Sequence, residues 1–339
     1  MNDPSADRTW GMPCFVLGIA QRSGTNYLYR LLSQHPACAA PGPIWEDSLV
    51  HHARWLSEYA TRVVSSWDPR WGAAAVVGGA DTLLADLGTG LVRFVHRQAA
   101  HAPIGAQARI LLTKTPSVQG LEHFPRLFPG ARALVLVRDG RSVVESGVRS
   151  FGWQYETAMR DWATAAADII AFQERHPGPD SPVRVVRYED LVRHEQDVLT
   201  TIFRFLGLDP DQYDFSAAQA MGVTGSSELR RAVGAVHWKP VDKSAGFDPL
   251  RRHTDWDRKR HERFAWLAGE QMEALGYTLE AAPRRGAGRS SPPANGCSMR
   301  HGARASACGP LPAACVAAWT VPGRKDTGRP ARPSPSSCR

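Results

Sequence analysis

Short apolar runs that end in polar turns alternate with amphipathic segments along most of the chain. Four runs have the length and composition of buried strands: Phe15–Ala20, Ala108–Pro116, Ala131–Gly140 and Val183–Leu191. Helical patterns cover the residues after the first, third and fourth runs, and also residues 48–71, 81–100 and 255–276. The alternation predicts an α/β fold in three layers, with a central parallel sheet flanked by helices. In such sheets ligands bind beyond the carboxyl ends of the strands, where the polar turns lie.

The positive charge is concentrated at the carboxyl end of the chain. Of 41 Lys and Arg residues, ten lie in residues 281–339 beside a single acid, so the preceding residues carry 31 bases against 32 acids. We therefore expect no nucleic-acid surface on the body of the protein. Residues 283–339 are rich in Pro, Gly, Ser and Arg without periodicity, which predicts a disordered basic tail. The folded domain is predicted over residues 1–282.

The cysteines and the apolar segments of the sequence indicate the cellular compartment of the protein. Cys14 and Cys38 stand alone in the body, as buried small hydrophobes in a reducing cytoplasm would. The sequence suggests neither a signal peptide nor a membrane span, so a cytoplasmic location without a membrane partner is expected. No His, Cys and Asp cluster with metal-ligand spacing occurs in the body, and we expect no metal. The oligomeric state is not predicted.

The stretch QRSGTN, residues 21–26, joins the first predicted strand to the first predicted helix. Main-chain N–H groups at such a helix start attract anions, Gly24 lets the backbone approach a ligand, and Arg22 adds a forked cationic donor. A Walker A loop needs Lys after its second Gly, and Thr25 stands there instead. The pattern predicts a P-loop-like anion site with weak support for Mg²⁺-ATP. The alternative is that Ser23 and Thr25 only cap the helix.

A second polar cluster follows the third predicted strand, in LVRDGRSVVES. Arg138 leaves the strand end, and Asp139 is placed to cap the following helix. Asp139, Ser142 and Ser146 are spaced to share one helix face. A guanidinium and a hydroxyl group in this arrangement can hold a phosphate together.

Together the two motifs resemble the sulfotransferases that use 3′-phosphoadenosine 5′-phosphosulfate (PAPS), in particular the bacterial and tyrosylprotein branches. Three further stretches carry the resemblance: TKTP with Lys114, RYEDL with Tyr188 and HWKPV with Lys239. The motifs occur in the family's order over about residues 14–280, and residues 283–339 have no counterpart.

The resemblance implies roles for these residues. Arg138 and Ser146 would hold the 3′-phosphate. Arg149, Tyr188 and Lys239 would make further nucleotide contacts, with Ser226 and Ser227 as weaker candidates. Lys114 and Arg22 would stabilise charge at the leaving group, in a transfer that needs no metal ion. The residues implied for the 5′-phosphosulfate are Arg22, Ser23, Gly24, Thr25 and Asn26.

The general base is assigned from the stretch GPIWEDSL. Tyrosylprotein enzymes place a Glu shortly after the first helix, and Glu46 and Asp47 stand there at a longer spacing. Glu46 is the predicted base, although it equally fits a helix start, for which Asp47 is a suitable N-cap. His51 and His52 are the fallback, since His titrates near neutrality.

The predicted function is transfer of a sulfuryl group from PAPS to a hydroxyl group of a small molecule, sugar or natural product. A kinase-like phosphotransferase and a non-catalytic nucleotide-binding protein of the same fold stay open as alternatives. The residues do not name the acceptor. Six tryptophans either line an apolar acceptor pocket or, for most of them, belong to the core: Trp45, Trp55, Trp67, Trp71, Trp153 and Trp238.

Overall fold

Five parallel strands form the centre of the protein. The computed structural model describes residues 10–40, 42, 44–99, 105, 107–221 and 249–279. Within these residues the strand order is β2-β3-β1-β4-β5, and every pair is parallel. The strands are β1 (Cys14–Gly18), β2 (Cys38–Ala39), β3 (Ile110–Thr115), β4 (Arg132–Val137) and β5 (Val183–Arg187). The predicted parallel sheet is confirmed.

Helices connect the strands and cover both faces of the sheet. They are α1 (Thr25–Leu32), α2 (Ala53–Ser65), α3 (Ala73–Val77), α4 (Ala80–Gln98), α5 (Phe124–Leu127), α6 (Gly140–Phe151), α7 (Tyr155–Arg175), α8 (Tyr188–Arg193), α9 (Glu195–Leu206), α10 (Phe215–Gln219) and α11 (Arg258–Ala274). Single 3₁₀ turns lie at Pro69–Trp71, Leu121–His123 and Pro210–Gln212. None of the helices in the described ranges is both long and apolar enough to cross a bilayer.

Alternate residues of β1 face two separate cores. Phe15 and Leu17 pack with residues of α6, α7 and α11, whereas Cys14 and Val16 pack with residues of α1 and α9. The strand therefore lies between two helical layers, as the three-layer prediction requires. Burial on both faces explains why these strands read as continuous apolar runs. Cys14 and Cys38 are free buried thiols whose pKa is raised by burial, so they act as small hydrophobes as predicted.

The fourth predicted strand is shorter than its apolar run. Strand β5 ends at Arg187, and Tyr188 begins α8 instead of extending the strand. Two acids in the first turn, Glu189 and Asp190, favour a helix start there. Glu189 also holds the helix in place, because its carboxylate accepts from the Asp139 N–H over 2.9 Å and from the Tyr277 hydroxyl over 2.8 Å.

Several other predicted bounds change. The predicted helix over 48–71 is α2 followed by a 3₁₀ turn, and the last helix, α11, is shorter than residues 255–276. The two-residue edge strand β2 and the 21-residue helix α7 have no counterpart among the predicted elements. The boundary of the predicted domain at residue 282 and the predicted tail lie outside the described residues, and both stay predictions.

The three central strands bring the predicted motifs to one edge of the sheet. Strand β1 lies between β3 and β4, with Leu17 opposite Thr115 and Gly18 opposite Leu136. The loop after β1, the end of β3 and the start of α6 after β4 therefore meet at the carboxyl edge, where parallel sheets bind ligands.

Candidate active site

The loop after β1 folds back on itself before α1 begins. The Ser23 hydroxyl donates to the Ala20 carbonyl over 2.8 Å, and both Arg22 (φ 73°) and Gly24 (φ 99°) have left-handed backbone. In the described part of the chain no side chain caps the Gly24 end of α1. The alternative that Ser23 and Thr25 merely cap the helix is therefore wrong. The first N–H groups of α1 are left for an external acceptor, which is how helix starts bind anions.

Tyr188 lies between the two predicted nucleotide motifs. A Cβ atom at Gly24 would be 2.5 Å from Cδ2 of Tyr188, so the glycine lets the loop lie flat against the ring. The guanidinium of Arg138 lies 4.7 Å from the centre of the same ring. The Tyr188 side chain is buried, and burial raises the pKa of its phenol. The ring thus fixes the distance between the loop and the end of β4.

Arg22 reaches from the loop to α6. Its Nε donates to the Ser146 hydroxyl over 3.0 Å, and its guanidinium lies 5.6 Å from the centre of the Phe151 ring. Burial, together with the positive charges of Arg138 and Arg252, lowers the pKa of Arg22 to about 10. The residues implied for the two ends of the nucleotide are therefore in direct contact.

Arg138 is fixed by carbonyl groups at the end of β4. Its Nη1 donates to the Arg22 carbonyl over 2.6 Å, its Nη2 donates to the Pro249 carbonyl, and its Nε is buried without a hydrogen-bond partner among the described residues. Within the described ranges neither Arg138 nor Arg22 lies at ion-pair distance from a carboxylate. A buried and a half-buried guanidinium without an acid are costly unless an anion binds between them.

On the other side of the loop, Lys114 binds two further residues of the predicted site. Its ammonium donates to Asn26 Oδ1 over 2.6 Å and to Glu46 Oε1 over 2.8 Å. The Lys114 side chain is 5% exposed, whereas that of Glu46 is 30% exposed. The predicted leaving-group cation, the loop and the predicted base are thus brought together at the edge of the sheet, with the carboxylate on the solvent side.

The alternatives for the base lie in other surroundings. Asp47 is not the cap of α2, because that helix begins at Ala53 with His52 before it. Its carboxylate instead binds main-chain N–H groups at Leu49 and Lys114. His51 is half-buried with Nδ1 2.8 Å from the Ser117 hydroxyl, and burial lowers its pKa, with the neighbouring His52 adding to the effect.

Of the remaining predicted nucleotide contacts, Arg149 is already paired with acids. Arg149 pairs with Glu145 in its own helix and, through Nη2, with Asp255 over 3.0 Å. Lys239 lies outside the described residues, as do the weaker candidates Ser226 and Ser227.

A segment that no sequence pattern predicted covers the start of α6. The Ser142 hydroxyl donates to the Leu250 carbonyl over 3.0 Å and lies 3.1 Å from His253 Nδ1. The neighbouring Pro249 carbonyl accepts from Arg138. Residues 249–253 have no hydrophobic periodicity, and their role depends on main-chain atoms that a sequence pattern does not encode.

Three of the tryptophans are not core residues. Trp45 is 70% exposed, Trp55 65% and Trp71 68%, so the interpretation of most tryptophans as core is wrong for these. Trp153 is half-buried and packs on α6, where a Cβ at Gly147 would be 1.8 Å from its ring. Trp238 lies outside the described residues.

Sequence comparison identifies the family. A sequence model described as "Sulfotransferase family" matches residues 13–212 of this chain, more than half of its length. The chain belongs to the sulfotransferase family. The match includes the loop after β1, Lys114, Arg138, Ser146 and Tyr188. Membership confirms the predicted family.

Individual relatives are distant. The chain is 26% identical over 247 residues to protein-tyrosine sulfotransferase 2 of Gallus gallus, which covers 69% of this chain and 62% of the relative. It is 28% identical over 235 residues to nodulation protein NoeE of Sinorhizobium fredii, which covers 61% and 52%. This sulfotransferase-family chain thus spans only about half to three fifths of the length of these curated relatives.

Solved structures with similar chains carry the same family name. The sulfotransferase domain of the Synechococcus PCC 7002 olefin synthase matches with 24% identity and a TM-score of 0.41, covering 82% of this chain and 92% of that one. Mouse sulfotransferase SULT7A1, solved as a complex with PAP, matches with 12% identity and a TM-score of 0.41, covering 79% and 87%.

The expectation of a metal-free site stays a prediction. The described residues contain no group of three or more His, Cys, Asp and Glu side chains placed to hold a metal ion. A chelator in a turnover assay would test the expectation directly.

Proposed function

We propose that this sulfotransferase-family protein transfers a sulfuryl group from PAPS to a hydroxyl group of an acceptor. The observation that carries the proposal is a pair of guanidiniums, the buried Arg138 and the half-buried Arg22, at the carboxyl edge of the sheet beside the start of α1. Neither has a carboxylate partner in the described part of the chain, and a doubly phosphorylated nucleotide supplies the anions that such a site requires.

In this proposal the donor lies across the loop and α6. The N–H groups of Gly24, Thr25 and Asn26 face the 5′-phosphosulfate, because they begin a helix whose end has no side-chain cap among the described residues. Arg138 and Ser146 face the 3′-phosphate. Arg22 lies between them, since its Nε already reaches the Ser146 hydroxyl. Tyr188 supports the loop because its ring packs against Gly24. Lys239 stays a proposed contact of the nucleotide.

The donor supplies a sulfuryl group bound through an oxygen that becomes negative when the sulfur–oxygen bond breaks. Lys114 and Arg22 stabilise that charge, because both are cations held at the end of the loop. Glu46 takes the proton of the acceptor hydroxyl as the acceptor oxygen bonds to sulfur. In the structure Lys114 and Glu46 bind each other, so Glu46 becomes available when the ammonium turns toward the leaving oxygen.

The acceptor is proposed only as a class: a hydroxyl group on a small molecule, sugar or natural product. Relatives named protein-tyrosine sulfotransferase add a tyrosine hydroxyl to the compounds worth assaying. Trp45, which precedes Glu46 and is 70% exposed, offers an apolar surface beside the base.

Turnover tests the proposal against its two alternatives. The full-length protein is incubated with PAPS and a panel of phenols, sugars and tyrosine peptides, and release of adenosine 3′,5′-bisphosphate (PAP) is followed. We expect acceptor-dependent release that Glu46→Gln and Lys114→Met each reduce by about 100-fold or more and that a chelator leaves unchanged. Binding of PAP without turnover would favour the non-catalytic alternative, whereas phosphoryl transfer from Mg²⁺-ATP would favour the kinase-like one.

A further inference from the structure

The segment that carries Glu46 is attached to the end of β3 through the residue that follows it. The Asp47 N–H donates to the Lys114 carbonyl over 3.2 Å, and Asp47 Oδ2 accepts from the Lys114 N–H over 3.1 Å. Next to it, the Ser48 N–H donates to the Thr115 hydroxyl over 3.0 Å. These contacts join residues far apart in sequence at the position where β3 presents Lys114.

Both carboxylate oxygens of Asp47 are occupied. Oδ1 accepts from the Leu49 N–H over 2.8 Å and from the Thr115 hydroxyl over 3.4 Å, and Oδ2 accepts from the Lys114 N–H. The same carboxylate therefore closes the turn after Glu46 and attaches that turn to β3. The following residue, Ser48, has φ 55°, a backbone conformation that non-glycine residues adopt only when their surroundings hold them there.

Glu46 differs from Asp47 in the partner of its carboxylate and in its exposure. Its Oε1 accepts from the Lys114 ammonium over 2.8 Å, and its side chain is 30% exposed. Main-chain atoms of Lys114 bind Asp47 while the side chain of the same residue binds Glu46. The position of the Glu46 carboxylate relative to the Lys114 ammonium is thus set by the attachment at Asp47.

We propose that Asp47 is a positioning residue, which holds Glu46 against Lys114 by binding the main chain of β3 and is not itself the proton acceptor. The inference rests on the proposed function for its catalytic consequence, although the attachment can be tested without turnover. Since a displacement of the reacting groups by about 1 Å can cost about 100-fold in rate, loss of the attachment lowers kcat although Asp47 touches neither substrate.

The first test measures the attachment by chemical labelling. In Asp47→Asn one oxygen becomes an NH₂ group, so an N–H of Leu49 or Lys114 faces a second donor and loses its acceptor. Asp47→Ser keeps the turn bond to Leu49 but is too short to reach the Lys114 N–H. Acetylation of Lys114 by N-hydroxysuccinimidyl acetate, followed by mass spectrometry, is expected to accelerate about tenfold in both variants, the factor that one lost hydrogen bond allows.

The matched control is Asp214→Asn. Asp214 also accepts from a main-chain N–H, that of Ala217 over 2.9 Å, but at the start of α10. We expect no change in Lys114 labelling in this variant. Equal labelling rates in wild type, Asp47→Ser and Asp214→Asn would overturn the proposal, because the attachment would then not control access to Lys114.

The second test separates positioning from proton transfer by the pH profile of PAP release from PAPS with a tyrosine peptide as the acceptor, because its hydroxyl group stays protonated near neutral pH. Asp47→Asn is expected to lower kcat by up to about 100-fold and to keep the decline at low pH. The KM for PAPS should change little, because the Asp47 carboxylate binds Leu49, Lys114 and Thr115 and not the residues proposed for the 3′-phosphate. Glu46→Gln is expected to lose that decline. The reverse assignment, with the decline lost only in Asp47→Asn, would make Asp47 the base and overturn the proposal.

Failure of the proposed function would look different. A wild-type protein that neither binds PAP nor releases it from PAPS would contradict the sulfotransferase proposal, while the labelling rates would still decide whether Asp47 holds the segment. Faster labelling together with an unchanged kcat in an active enzyme would retain the attachment and overturn its catalytic role.

Discussion

Replacing Gly24 with alanine tests how closely the loop packs against Tyr188. The alanine backbone would have to keep φ 99°, and its Cβ would lie 2.5 Å from the Tyr188 ring. Left-handed backbone costs a residue with a Cβ about 1–2 kcal/mol, and forcing atoms into a packed site costs about 1–3 kcal/mol. We therefore expect Gly24→Ala to lower the free energy of unfolding by about 3 kcal/mol.

A second glycine separates the two contributions. Gly207 also has left-handed backbone, φ 71°, but a Cβ there would meet no atom within 4 Å. Gly207→Ala should therefore lose only the backbone contribution, about 1 kcal/mol. Urea denaturation of both variants and calorimetric titration with PAP are the assays. Gly24→Ala should also bind PAP at least about tenfold more weakly, because the substitution displaces the loop whose N–H groups bind the anion. Gly207→Ala should bind PAP as tightly as the wild type. Equal losses of stability in the two variants would refute the close packing of Gly24 on Tyr188.

Three further variants test other parts of the account. Asp139→Ala removes one partner of the buried Arg141 guanidinium, whose Nη2 lies 2.7 Å from Asp139 Oδ2, together with the N-cap of α6, and should cost about 2–4 kcal/mol in urea denaturation; a loss below about 1 kcal/mol would equate this pair with surface pairs. Burial lowers the pKa of His35 below its ordinary value of 6.5, and the neutral ring uses Nδ1 to accept from the Ala37 N–H. Protonation therefore favours the unfolded chain, so the stability that His35 contributes is complete above that ordinary pKa and is lost as pH falls from there through the lower folded pKa. The fall in Tm between about pH 7 and about pH 5 should be smaller in His35→Gln; an identical fall would contradict this. Lys114→Met should reduce turnover by about 100- to 1000-fold with the fold intact, and full turnover would remove Lys114 from the chemistry.

The sheet could be predicted because its strands are buried on both faces. Burial of this kind requires continuous apolar runs, and β1, β3 and β4 show them within one to three residues of their bounds. Strand β2 has only two residues and lies at the sheet edge, so it leaves no pattern in the sequence. The end of β5 was predicted too late, because Tyr188 and Leu191 are apolar in a short helix as well as in a strand.

Some residues of the candidate site could be placed from the sequence, and others could not. Side chains that follow strand ends, such as Arg22, Lys114 and Arg138, could be placed at one edge because parallel strands end on the same side. The attachment of Asp47 to β3 and of residues 249–253 to α6 depends on main-chain atoms, which carry no residue-specific signal. The exposure of Trp45 and Trp55 was also not predictable, since apolar composition alone favours burial.

Nucleotide binding by the full-length protein tests the central claim most directly. Calorimetric titration compares PAP with ATP, each with and without Mg²⁺, in wild type and in Arg138→Ala. The account predicts that PAP binds more tightly than ATP, that Mg²⁺ makes no difference, and that Arg138→Ala weakens PAP binding by about tenfold or more, as the loss of a charge-assisted contact would. A preference for Mg²⁺-ATP, or PAP binding that Arg138→Ala leaves unchanged, would contradict it.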